Sequence, residues 1–118
     1  MINKKLYETK LRSYQHYRSE EISSRKIVEL NKDLKETTLK SMIECLDIKA
    51  GDVFMKSSRV YMVAGSEPIT AIENYLGEAL FKISVVKSDS SARSGWSTGG
   101  NSITLSFEEI ENLKIIKE

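Results

Sequence analysis

All six glycines and the only proline of this 118-residue chain fall within residues 51–118, and residues 1–47 contain neither. Gly and Pro are the residues that interrupt helices and permit tight reversals. The first part of the chain is therefore free to stay helical, and the second is where it can turn back on itself. The expected architecture is α+β, with a helical arm over 1–50 followed by a small antiparallel β domain over 51–118.

Periodicity supports this division. At helical spacing Tyr7, Leu11, Tyr14 and Arg18 share one stripe with Leu6, Lys10 and Tyr17 beside it, while Lys4, Lys5, Arg12 and His16 lie on the other side. Ser19, Ser23 and Ser24 weaken the pattern before Ile22, Ile27, Leu30 and Leu34 resume it, so one long helix or two to three shorter ones both fit. Thr37-Thr38 offers an N-cap for a short helix over 39–47, whose inner face would be Leu39, Met42, Ile43 and Leu46.

From Gly51 the period becomes two. Val53 and Met55 alternate, as do Val60 and Met62 across a two-residue turn at Ser57-Ser58, and Phe81, Ile83 and Val85 alternate with Lys82 and Ser84. Residues 68–76 suit a helix from Pro68 to Gly77 or a strand turning at Gly77-Glu78, with the strand favoured. Ser88 to Ser102 reads as a long Ser/Gly loop, followed by a strand at Ile103, Leu105 and Phe107. Ser106-Phe107-Glu108-Glu109 matches a capping box, which predicts one helical turn before a last strand over 113–117.

The strand order, with Gly51-Asp52-Val53-Phe54, Val60-Tyr61-Met62-Val63 and Leu105 through Ile116, resembles a small SH3-like β-barrel over the second half of the chain. That resemblance implies a binding module rather than an enzyme. A charged helical arm ahead of such a barrel also resembles the small accessory proteins of bacteriophages and mobile elements, among them inhibitors of host defence or host enzymes. It implies an inhibitor or adaptor that binds a host protein through barrel loops and the arm.

Eighteen Lys and Arg against 17 Asp and Glu leave no global field that would favour nucleic acid or membrane. Cys45 is the only cysteine, so an internal disulfide is excluded and a structural zinc site lacks its usual ligands. With no secretory signal pattern and no long apolar run, a reducing cytoplasm is the expected setting. No cofactor is implied.

Motifs for chemistry are sparse. His16 has no cysteine or acidic pair near it, and Cys45 sits between Glu44 and Leu46 at the edge of an apolar helical face, where a small buried side chain suits better than a nucleophile. Gly95 to Asn101 lacks the Lys-Ser or Lys-Thr and the following helix of a phosphate loop. Glu108, Glu109 and Glu111 read as a capped, solvated turn.

Three binding roles remain. Arg93 and Trp96 in the long loop, with Tyr17 and Arg18 on the arm, are the candidate protein-binding residues, because Trp, Tyr and Arg dominate interface energetics. Lys4, Lys5, Lys10, Arg12 and His16 are the alternative, a nucleic-acid contact surface interleaved with Tyr14 and Tyr17. The third is a homodimer formed by a short helix pair, since the heptad pattern breaks between Tyr17 and Ile27.

Overall fold

The computed structural model describes residues 2–23, 28–89, 91, 93, 95–97 and 101–116, with backbone alone for 20–23, 28–31 and 114–116. In chain order the elements are α1 (Lys4–Ser23), α2 (Val28–Met42), a 3₁₀ turn (Ile43–Cys45), β1 (Val53–Lys56), β2 (Arg59–Val63), β3 (Ile69–Glu73), β4 (Ala79–Lys87), β5 (Asn101–Leu105), α3 (Phe107–Glu111) and β6 (Lys114–Ile116). They form two compact units, one of Met1–Asp47 with Ala71–Leu80 and one of Ile48–Thr70 with Phe81–Glu118. The turn of the β3–β4 hairpin thus belongs to the helical unit.

In the helical unit, Asn3 starts α1: its Oδ1 accepts from the Leu6 N–H at 3.1 Å, and its own N–H donates to the Cys45 carbonyl at 2.9 Å. Tyr7 and Tyr14 are buried, Leu11 and Arg18 half-buried, and Lys4, Lys5, Arg12 and His16 exposed, as the stripe predicts. Helices α1 and α2 are separate and pack against each other.

The expected short helix over 39–47 with a Thr37-Thr38 cap is corrected. Helix α2 runs through both threonines, and the Thr38 hydroxyl donates 2.7 Å back to the Leu34 carbonyl instead of capping a new helix. No Gly or Pro interrupts this segment, so propagation continues until the 3₁₀ turn. Leu39, Met42, Cys45 and Leu46 are buried there. Facing rules are also broken in this unit: Leu6, beside the stripe of α1, is exposed, and on α2 Leu34 is exposed while its neighbour Lys35 is buried.

In the sheet unit, β1 and β2 pair antiparallel from Val53 opposite Met62 to Lys56 opposite Arg59. Ser57 and Ser58 make the turn with φ of 52° and 66°, the left-handed conformations that a two-residue type I′ reversal requires. Phe54 and Tyr61, directly opposite, stack with centroids 5.6 Å apart. Strand β4 buries Phe81, Ile83 and Val85 and exposes Lys82 and Ser84. The capping box is complete: Ser106 Oγ accepts from the Glu109 N–H and Glu109 accepts from the Ser106 N–H, both at 3.2 Å.

The sheet follows the path β3-β4-β2-β1-β6, with β5 paired to β4 off that path. It is an antiparallel sheet that does not close, and the SH3-like barrel expectation is corrected accordingly. Closure requires a strand pair joining the two ends of the path, β3 and β6, and among the described residues β6 pairs only β1. Within residues 68–76 the chain forms the strand β3 over Ile69–Glu73 and then turns, and there is no helix. The expected Ser88–Ser102 loop is shorter and more constrained: Ser88 bridges Trp96, and Ser97 exchanges bonds with Lys87, donating its N–H to the Lys87 carbonyl and accepting the Lys87 N–H on Oγ.

Candidate functional site at the β3–β4 turn

The turn Asn74-Tyr75-Leu76-Gly77 is built by one side chain and one backbone conformation. Asn74 Oδ1 accepts the N–H of Leu76 at 3.0 Å and of Glu78 at 2.8 Å, an Asx-type closure. Gly77 adopts φ of 80° and donates its N–H to the Asn74 carbonyl at 3.0 Å. That conformation strains any L residue. A Cβ at Gly77 would also overlap the Arg18 guanidinium, which lies directly on the glycine backbone.

Helices α1 and α2 hold the turn from behind. The Tyr14 hydroxyl, wholly buried, donates to the Gly77 carbonyl at 3.0 Å. Arg18 Nε donates to Glu73 Oε1 at 2.9 Å, and Lys35 Nζ lies 2.9 Å from Glu73 Oε2. One carboxylate therefore receives both cations. Burial opposes ionisation of Glu73, but hydrogen bonds from Lys35 and Arg18 and the Lys35 charge outweigh it and hold the carboxyl below its ordinary value.

Held in this way, the turn presents apolar surface. Tyr75 is 92% exposed and Leu76 60%. The other eight aromatic residues are all buried or half-buried. Sequence reasoning gave Leu76 only a place in an ambiguous periodicity and passed over Tyr75, Glu73 and Lys35. The available signal was two large apolar residues between Asn74 and Gly77, where a turn ordinarily carries polar ones.

The residues singled out from sequence are divided between the two units, Tyr17 and Arg18 in the helical one and Arg93 and Trp96 in the other. Arg18 is engaged with Glu73 and Gly77, Tyr17 is half-buried with its ring 5.8 Å edge-on to that of His16, and Trp96 is half-buried in its bridge to Ser88. Arg93 is exposed. Lys4, Lys5, Arg12 and His16 are exposed along α1, with Lys10 half-buried. Cys45 is fully buried; burial pushes its thiol up, which Glu44 reinforces and Lys10 opposes. Among the described residues no group of three His, Cys, Asp or Glu could hold a metal ion, and no helix is long and apolar enough to cross a membrane.

Comparison with known proteins gives no match to a family model, a curated protein or a solved structure. The class defined by the fold is α+β, with N-terminal helices ahead of an open antiparallel sheet.

Proposed function

We propose that this chain is a non-enzymatic protein-binding module, of the inhibitor or adaptor kind, that engages a host protein through the β3–β4 turn. The observation that carries the reading is Tyr75, 92% exposed on a turn whose backbone is fixed by Asn74 and Tyr14. A rigid aromatic anchor loses little freedom on binding and desolvates a large area, which is how hot-spot residues act. The test is a photo-crosslinking benzoylphenylalanine placed at Tyr75 or, as control, at Ser58 in the exposed β1–β2 turn. A discrete adduct from position 75 alone supports the reading, and equal labelling from both positions contradicts it.

A second reading is supported by the exposure of Lys4, Lys5, Arg12 and His16 on α1. These side chains could contact phosphates, but of the interleaved aromatics Tyr14 is buried, which leaves the half-buried Tyr17 beside His16 for base stacking. Gel-shift assays at low salt test it: binding that falls steeply with salt is expected, and no shift ends the reading.

A further inference from the structure

We infer that the Tyr75–Leu76 turn is a knob for an apolar pocket on a different protein, and that this pocket supplies a hydrogen-bond acceptor to the Tyr75 hydroxyl. The inference rests on the protein-binding reading above and adds the chemistry of the partner.

Shape and area distinguish the occupants. A tyrosine and a leucine together bury on the order of 300 Å², well short of the ~800 Å² per partner of a stable complex. Two copies meeting turn to turn would join convex to convex and bury no more than this. A pocket removes both side chains from water and lets the surrounding surface complete the interface. Insertion into a bilayer is the remaining alternative, and local charge disfavours it. The carboxylates of Glu73 and Glu78 bracket the turn, whereas attraction to an anionic membrane needs an excess of cations. Glu73 and Glu78 balance Arg18 and Lys35 charge for charge, so these four side chains leave no such excess.

The acceptor follows from the phenol. In the free protein the Tyr75 side chain is almost wholly in water. Once it is buried, an unpaired hydroxyl would cost most of what the ring gains, so a pocket that binds tyrosine well must satisfy its O–H. The turn is ordered before binding by the two bonds to Asn74 Oδ1 and the Tyr14–Gly77 bond, which leaves side-chain rotation as the main freedom lost on the knob's side.

The experiment captures the partner from a lysate of the cells that make the chain, using the full chain with benzoylphenylalanine at Leu76 so that Tyr75 is retained. The adduct is then competed with unlabelled wild type, Tyr75→Phe, Tyr75→Ala and the double variant Tyr75→Ala/Leu76→Ala, each verified to melt with wild type. Wild type is expected to compete, Tyr75→Phe about tenfold less well for a lost buried hydrogen bond, and Tyr75→Ala roughly 30-fold less well or worse. Tyr75→Phe competing as well as wild type overturns the acceptor. An adduct with the mass of two copies of this chain, or Tyr75-dependent sedimentation with phosphatidylcholine–phosphatidylserine vesicles, overturns the pocket. An adduct that the double variant competes as well as wild type removes the protein-binding reading itself.

Discussion

Lys35 Nζ lies 2.9 Å from Glu73 Oε2, so a lysine that is only 8% exposed on α2 is neutralised by a carboxylate at the end of β3. The partners are 38 residues apart in sequence, yet both belong to the helical unit. Removing one side of such a pair leaves the other as a buried charge. Glu73→Gln is expected to destabilise by about 2 kcal/mol, below the range for fully buried pairs because the Glu73 side chain keeps 24% exposure. Lys35→Met should cost clearly less, since Glu73 retains Arg18. Urea unfolding of both variants checks the order.

The same carboxylate sets a pH dependence. Its pKa is lower in the folded than in the unfolded state, so its stabilisation is fully present above the ordinary value of 4.5 and is lost as pH falls through the folded value. Unfolding free energy measured against pH should fall for wild type below 4.5, and the gap to Glu73→Gln should narrow as it does.

Gly77→Ala combines two faults, a strained φ of 80° and overlap with the Arg18 guanidinium. A loss of roughly 1–2 kcal/mol is expected. Amide exchange should quicken at Leu76 and Glu78, whose N–H groups Asn74 holds. Unchanged exchange at both would show that Arg18 and Gly77 do not order the turn.

At the β1–β2 turn the sign reverses. Ser58 holds φ of 66° with a side chain that disfavours it, so Ser58→Gly should stabilise by about 0.5–1 kcal/mol. Thermal unfolding measures this, and a lower melting temperature would show that the reversal is not of the type I′ kind.

Elements governed by local rules were legible in the sequence. The Ser106–Glu109 capping box, the Ser57-Ser58 reversal and the Phe81, Ile83, Val85 alternation each depend on neighbours within a few residues. Closure of the sheet was not legible, because it turns on which distant strands share hydrogen bonds. The interior position of Lys35 was also hidden: a lysine beside Leu34 reads as the solvated residue of the two until Glu73 is brought next to it. The candidate site suffered most. Arg93 and Trp96 stood out by residue type, while Tyr75 and Leu76 gain their interest only from a turn held outward by Asn74, Tyr14 and Arg18.

The central claim is that Tyr75 and Leu76 are the protein-binding anchors, and a matched set of immobilised chains tests it most directly. Wild type, Tyr75→Ser/Leu76→Ser and Arg93→Ala/Trp96→Ala, each confirmed folded, are loaded with one lysate and the retained protein is quantified. The account predicts a component retained by wild type and by Arg93→Ala/Trp96→Ala but lost from Tyr75→Ser/Leu76→Ser. Equal retention on the wild-type and turn-variant chains, with loss on Arg93→Ala/Trp96→Ala, would contradict it.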